Sequence, residues 1–100
     1  MKKDVKALIK RLTLLVQFKQ TGKGWIAVDG DGYASWFSLR PTFHPSGHSE
    51  ALDTWDQNGF AIHLSHLDYL PLSIGCPCLS SREALFYTDG ETVWLVETNK

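Results

Sequence analysis

Apolar side chains recur at helical spacing through the first nineteen residues of the chain. From Val5 to Val16 they return every three or four positions, and lysines occupy the opposite side. This pattern predicts an amphipathic helix that begins at Asp4 and ends before Gly22. Residues 13–19 also carry the β-branched and aromatic side chains typical of a strand, so a shorter helix followed by a strand is the alternative.

The remainder of the chain alternates between short apolar runs and turn residues, as antiparallel strands do. In residues 24–39 two apolar runs flank an Asp-Gly-Asp-Gly sequence at 29–32, which predicts a hairpin because both residue types tolerate the positive φ of a tight turn. An Asp-Gly pair at 89–90 predicts a second hairpin. An Asn-Gly pair at 58–59 precedes a further alternating run at 60–64, which predicts another strand.

Two segments lack a clear strand pattern. Residues 42–57 are polar and rich in loop formers, which predicts an irregular segment with one helical turn near residues 50–55. Residues 67–74 are apolar but contain Pro71, which cannot donate a hydrogen bond to a sheet, so we expect an edge strand or an extended segment. Together the elements predict an α+β fold: an N-terminal amphipathic helix packed on an antiparallel sheet of about five strands built from hairpins.

Length and composition are those of one domain. We expect a single domain over residues 1–100, with a basic helix at residues 1–22 and a mostly antiparallel β region at residues 23–100. No apolar run approaches the roughly 18–20 residues of a membrane span, and no secretory signal follows the first methionine. The two cysteines suit a reducing compartment. We therefore expect a cytoplasmic protein that does not engage a membrane.

The net charge of −1 conceals two oppositely charged regions. Residues 1–23 carry a net charge of +6, and residues 24–100 carry a net charge of −7. Lys3, Lys6 and Lys10 would share the polar face of the helix, where they would meet phosphate groups or an acidic partner surface. A solvated face opposite the core explains the same lysines without any ligand, and we favour that explanation.

The side chains that suit metal binding are few. Zinc prefers four nitrogen or sulfur ligands, and His63, His66, Cys76 and Cys78 are of those types. Their spacing differs from that of common zinc motifs, and cysteine is often a plain buried side chain, so we expect no cofactor. No nucleophilic, phosphate-binding or calcium-binding motif is complete, so we expect no enzymatic activity.

Residues 24–64 contain four features in a fixed order. A strand led by tryptophan comes first, followed by an Asp-x-Asp-Gly turn, an aromatic strand that ends in proline, and a later tryptophan. The residues that form this pattern are Trp25, Asp29, Asp31, Gly32, Trp36, Pro41, Trp55, Ile62 and Leu64. This order resembles that of small accessory proteins of bacteriophages and prophages. The resemblance transfers no catalytic residue; it implies a protein that acts by binding a host protein, as the anti-CRISPR proteins of this group do.

Charge and resemblance together lead to one functional hypothesis and two alternatives. We expect a non-enzymatic phage-type protein that binds and inhibits or modulates a nucleic-acid-processing complex in the cytoplasm of its host. The alternatives are a nucleic-acid-binding regulator that uses the basic helix and a small zinc-binding domain. Open sheet edges also suit a homodimer. The expected partner contacts, with the aromatic side chains exposed, are Asp29, Asp31, Trp36, Trp55 and Asp56.

Overall fold

One long helix lies across a five-stranded antiparallel sheet. The computed structural model describes residues 1–67 and 70–97, and the helix, α1, covers Lys3–Lys19. The strands, in chain order, are β1 (Gly24–Val28), β2 (Tyr33–Phe37), β3 (Thr42–His44), β4 (Thr54–Asp56), β5 (Ala61–His66), β6 (Leu85–Thr88) and β7 (Val93–Leu95). The main sheet has the order β5-β2-β1-β6-β7, and β3 and β4 form a separate pair. The predicted α+β fold with a five-stranded antiparallel sheet is confirmed.

Helix α1 continues through residues 13–19, so the long-helix prediction is confirmed and the strand alternative is wrong. Its buried side chains are Val5, Leu8, Leu12 and Val16, and their spacing of three and four places them on a single stripe. Because that stripe packs on the main sheet, tertiary contact decides in favour of the helix over the local strand propensity.

The two ends of α1 differ from the prediction. The helix begins at Lys3, and Asp4 lies in its first turn, where its carboxylate accepts the backbone N–H groups of Val5 and Cys78 at 2.9 Å. At the other end Gln20 adopts the left-handed conformation with φ 53° and ends the helix, two residues before the predicted stop at Gly22.

The main sheet separates two apolar cores because successive side chains of a strand point to opposite faces. On the face beneath α1, Ile26, Val28 and Phe86 are fully buried. On the opposite face, Trp55 of β4 packs against a core that includes Leu85 of β6. The molecule therefore has three layers: α1, the main sheet and the small β3–β4 sheet.

Residues 42–57 form more regular structure than their composition predicted. Strands β3 and β4 pair with Phe43 opposite Trp55, and a 3-10 turn covers Glu50–Leu52, where one helical turn was expected. The prediction of an irregular segment is wrong because Phe43 and Trp55 pack together against the core on this face of the main sheet, a contact that the polar composition of the segment does not reveal.

Residues 72–75 form a short helix, α2 (Leu72–Gly75), instead of the predicted edge strand. Pro71 precedes it, and the fixed φ of proline suits the start of a helix. Leu72 is buried in the core beneath α1, and this contact holds α2 against the rest of the fold. Asp68 and Tyr69, which the same prediction covered, lie outside the described residues.

The turn between β1 and β2, residues 29–32, joins segments that are distant in sequence. The N–H of Gly30 donates to the carbonyl of Asp53 at 2.9 Å, and its carbonyl accepts the N–H of Leu72 at 2.8 Å. The carbonyl of Gly32 accepts the N–H of Leu67 at 2.8 Å. Both glycines are buried, and a Cβ at either would overlap a carbonyl oxygen of the packed segments. The β1–β2 turn therefore requires glycine at these two positions.

We expect Gly30→Ala to lower the free energy of unfolding by about 2 kcal/mol or more, because the new Cβ overlaps the backbone oxygen of Glu50. The matched control is Gly75→Ala, because a Cβ there meets nothing within 4 Å; we expect it to leave stability unchanged or raise it by up to about 1 kcal/mol. Urea unfolding of both variants measures the difference. Equal stability of the two would contradict the role assigned to the β1–β2 turn.

Candidate functional site

The two tryptophans expected as exposed partner contacts are buried. Trp36 is 6% exposed and lies in the core beneath α1, and Trp55 is 9% exposed between the main and small sheets. The indole N–H of Trp55 donates to the carbonyl of Ser81 at 3.2 Å, which fixes the ring in place. The expectation that these side chains are exposed is wrong, because the tertiary packing of β2 and β4 covers them.

Asp29 holds the small sheet to the β1–β2 turn. Its carboxylate is half-buried and accepts the backbone N–H of Trp55 at 2.9 Å. Burial is the largest influence and raises the pKa of Asp29 to about 6; the Trp55 hydrogen bond opposes this, while the nearby charges of Asp31 and Asp56 add to it. Asp29 therefore has a structural function that its position in a turn did not reveal.

Asp31 and Asp56 are exposed and complete the predicted acidic group. The carboxylate of Asp31 accepts the N–H of Tyr33 at 3.0 Å, a local contact that shapes the turn. The carboxylate of Asp56 lies 2.7 Å from Nε2 of His44 across the small sheet. The pKa effects on Asp29 place these two carboxylates in its neighbourhood, so the structure brings the three aspartates together while their tryptophan companions point inward.

The four candidate zinc ligands lie in two different environments. The ring of His63 packs on Tyr33 with 4.1 Å between ring centroids, and His66 contacts the same tyrosine edge-on. Cys76 is buried, and burial together with the Asp4 carboxylate raises its pKa to about 12, which favours the neutral thiol over the thiolate that binds zinc. No group of three or more His, Cys, Asp or Glu side chains within residues 1–67 and 70–97 is arranged to hold a metal ion.

Lys3, Lys6 and Lys10 are all exposed on α1, as the helical pattern predicted. They lie on the side of the helix away from the buried stripe, over about two turns. This arrangement fits both a solvated face and a small basic surface, so the prediction of nucleic-acid binding at these lysines stays a prediction.

A network of hydroxyl and carboxyl groups joins the small sheet to the segment before β6. The hydroxyl of Ser81 donates to the Asp53 carboxylate at 2.7 Å, and the N–H of Ser46 donates to the same carboxylate at 2.8 Å. The Ser81 hydrogen bond is the largest influence that lowers the pKa of Asp53. The Ser81 hydroxyl therefore ties the segment before β6 to Asp53, and the lowered pKa makes the Asp53 carboxylate a weaker base.

Three aromatic side chains cross the sheet face opposite α1 in one line, and we call Trp25, Tyr87 and Trp94 the aromatic row. They stand opposite one another on β1, β6 and β7. The Trp25 and Tyr87 rings meet edge-on with centroids 5.4 Å apart, and the Tyr87 and Trp94 rings stack at 6.0 Å. Trp94 is 47% exposed, and the other two are half-buried. The Arg40 guanidinium covers the inner end, 5.4 Å from the Trp25 ring centre.

Sequence reasoning missed the aromatic row because it crosses two hairpins. Strand alternation does place Trp94 on the face opposite Phe86 within the second hairpin, and Trp25 opposite Ile26 within the first. The lateral pairing of β1 with β6, which brings Trp25 beside Tyr87, joins strands about sixty residues apart. Local patterns do not specify such a pairing.

Comparison with known proteins found no matching family model, no similar curated protein and no similar solved structure. Within the described part of the chain, no helix has the length and apolar character needed to cross a membrane. The functional interpretation therefore depends on the geometry of this chain alone.

We expect Asp29→Asn to stabilise the protein at pH 7 and to have little effect below pH 4. Because the folded-state pKa is raised to about 6 from 3.8, the contribution of Asp29 to stability is fully present below pH 3.8 and is lost as the pH rises through 6. The amide oxygen of asparagine still accepts the Trp55 N–H. After allowance for the half-exposed carboxylate, the gain at pH 7 is roughly 1 kcal/mol.

Urea unfolding at pH 4 and pH 7 measures this difference. Asp31→Asn is the matched control because it removes one exposed charge from the same turn. The negative charge of Asp31 repels that of Asp29, so we expect this variant to raise the free energy of unfolding at pH 7 by only a small part of the Asp29→Asn effect. A destabilised Asp29→Asn variant at pH 7 would show that the ionised carboxylate is needed there.

Proposed function

We propose that this chain is a non-enzymatic phage-type protein that binds a nucleic-acid-processing complex of its host and inhibits or modulates it. The observation that supports this proposal is the aromatic row, with Arg40 stacked at its inner end. Tryptophan, tyrosine and arginine are the residues that contribute most to protein–protein binding when they cluster at the centre of an interface. The row supplies such a cluster on a rigid sheet.

The rigidity of the row favours binding. Its backbone positions are held by antiparallel hydrogen bonds on β1, β6 and β7, and ring contacts limit the rotamers of the side chains. A partner that covers the row therefore loses little side-chain entropy from this chain, and it gains the large contact area of indole and phenol rings.

The charge distribution supports a partner that handles nucleic acid. Residues 24–100 carry a net charge of −7, and proteins that bind nucleic acid present basic surfaces to it. This acidic part of the chain is attracted to a basic surface over about one Debye length, and the attraction raises the association rate. Once bound, the chain competes with nucleic acid for the same basic surface. Steric occlusion follows without any chemical step.

A second candidate function is nucleic-acid binding through α1. The observation that favours it is the exposure of Lys3, Lys6 and Lys10 on one side of the helix. Three cations interacting with phosphates give binding that weakens steeply as salt concentration rises. The net charge of −7 on the rest of the chain opposes such binding, and for that reason we rank it second.

Affinity capture from bacterial lysate with the nuclease-treated, tagged protein tests the first function. We expect the wild-type chain to retain a nucleic-acid-processing protein or complex, and Trp94→Ala to lose at least about tenfold of that affinity because the outer ring of the row is removed. Mass spectrometry identifies the retained protein, and titration of the purified partner measures the affinity.

The matched control is Phe18→Ala, because Phe18 is an aromatic side chain that is 81% exposed and belongs to α1, on the other face of the main sheet from the row. Thermal unfolding verifies that both variants fold. Equal loss of binding in the two variants, or none in Trp94→Ala, would remove the aromatic row from the proposed interface.

A gel-shift assay at low salt tests the second function. We expect the variant with Lys3, Lys6 and Lys10 all changed to Gln to lose any binding to a DNA or RNA duplex that the wild type shows, with a shallower salt dependence in each single variant. Lys23→Gln is the control, because Lys23 is exposed but lies beyond the helix. An absence of binding by the wild type at low salt would contradict this function.

A further inference from the structure

The two arginines of the acidic part of the chain line the same groove. Between Gly24 and Glu97 the sequence contains only Arg40 and Arg82 as basic residues of the lysine and arginine type. They lie more than forty positions apart in sequence, yet both border an open groove of about 490 Å³ between the small sheet and β6. We call it the two-arginine groove; its lining is Arg40, Pro41, Thr42, Phe43, Trp55, Arg82 and Leu85. It adjoins the aromatic row, since Arg40 stacks on Trp25.

Each guanidinium group is held by a ring. The guanidinium carbon of Arg40 lies 5.4 Å from the centre of the Trp25 ring, and that of Arg82 lies 4.8 Å from the centre of the Phe43 ring. Stacking on a ring occupies one flat face of the guanidinium, while its N–H donors lie in the plane of the group and can still reach another acceptor. No carboxylate of the described residues lies within ion-pair distance of either arginine, and the charge of Arg82 contributes to the lowered pKa of the nearby Asp53 carboxylate. Both are therefore preorganised donors for an incoming anion.

The floor between the arginines is apolar. Pro41, Trp55 and Leu85 of the lining are buried, and the half-buried Phe43 ring, 5.1 Å from the Trp55 ring, is the apolar side chain of the lining that stays partly accessible. A fully hydrated anion gains nothing from such a floor, whereas a hydrophobic side chain does. The groove thus combines anion donors at its rim with an apolar surface between them.

We propose that the two-arginine groove binds a short peptide segment of the partner in which acidic side chains stand next to a hydrophobic one. The carboxylates pair with Arg40 and Arg82, and the hydrophobic side chain covers the accessible part of the Phe43 ring. This inference rests on the proposed function, because it names the chemistry that the partner presents beside the aromatic row. It also explains how an acidic protein takes up one defined orientation on a basic partner. The groove presents positive charge within the otherwise acidic region of residues 24–100, so an acidic segment of the partner is directed to this one place in that region.

The charge of the surrounding body favours a short peptide over a nucleic-acid strand. A strand places a phosphate at every nucleotide, and its flanking phosphates would approach the region with a net charge of −7. Two carboxylates that are two residues apart in an extended peptide are separated by about 7 Å, within the Debye length of about 8 Å at physiological salt, so the charges of the peptide interact chiefly with the two arginines.

The test uses the full chain and a defined probe, the capped peptide acetyl-Gly-Glu-Leu-Glu-Leu-Gly-amide. Titration is followed by the indole N–H signals of the 15N-labelled protein, because Trp25 and Trp55 flank the groove while Trp36 lies beneath α1. We expect the Trp25 and Trp55 signals to shift, the Trp36 signal to stay, and the dissociation constant to be on the order of 1 mM or below for so small a ligand.

Variants of the two arginines identify the donors. We expect Arg40→Gln and Arg82→Gln each to weaken peptide binding roughly fivefold or more, because glutamine keeps a polar side chain but loses the charge and the paired donors. Lys19→Gln is the control, since it removes one exposed positive charge from the end of α1, outside the groove, and it is expected to change binding less than twofold. The two-dimensional NMR spectrum of each variant reports whether it folds.

Three results would overturn the proposal. The first is equal binding of the same peptide with glutamine in place of glutamate. The second is a saturating titration in which neither Trp25 nor Trp55 responds, or no binding at 10 mM peptide, roughly ten times the expected constant. The third is tight, salt-sensitive binding of a six-nucleotide oligothymidine that Arg40→Gln abolishes, which would assign the groove to nucleic acid.

The outcome is separable from that of the lysate capture experiment. Peptide binding at the groove with no Trp94-dependent capture of a host protein would leave the groove as a peptide site and contradict the proposed function. Capture that depends on Trp94, together with failure of the peptide titration, would retain the proposed function and exclude the groove.

Discussion

The β1–β2 turn, residues 29–32, is the constraint on which the rest of the structure depends. These four residues join two inner strands of the main sheet. Their backbone groups form hydrogen bonds with Asp53, Leu67 and Leu72, and the Asp29 carboxylate accepts the N–H of Trp55. Each of these partners lies more than twenty positions away in sequence. Because buried backbone groups must be paired, the turn leaves these segments few other positions. The position of the small sheet, the positions of Leu67 and Leu72, and the floor of the two-arginine groove all follow from it.

The division of the aromatic residues between interior and surface has the same origin. Once the turn sets the register of β1 and β2, Trp36 points beneath α1 and Trp25 points to the opposite face. The small sheet, held by Asp29, then covers part of that opposite face through Trp55, while Trp25, Tyr87 and Trp94 extend beyond it. A protein with twelve aromatic residues in 100 can thus fill two cores and still present rings at its surface. The proposed interface is the part of this face that the small sheet leaves uncovered.

Much of the fold was predictable, and the part that was not has identifiable causes. The apolar stripe of α1 and the glycine-containing turns of both hairpins are local signals, and each produced the predicted element. The small sheet was missed because Phe43 and Trp55 are single apolar residues in polar segments, and their burial depends on a surface that another part of the chain provides. Of the expected partner contacts, Trp36 and Trp55 are buried, whereas Asp31 and Asp56 are exposed. Exposure is a property of the assembled layers, and alternation within one strand does not reveal which face another layer will cover.

By itself, the sequence determined the long amphipathic helix, the two tight hairpins, the uneven charge along the chain and the α+β class, because these depend on periodicity, turn chemistry and composition over short spans. The tertiary structure alone decided that β1 pairs with β6, which aligns Trp25, Tyr87 and Trp94, and that Arg40 and Arg82 border one groove. It also decided that Asp29 is half-buried and carries a raised pKa. These features arise from contacts between residues far apart in sequence. Such contacts form only in the arrangement that buries the apolar side chains of both cores at the same time.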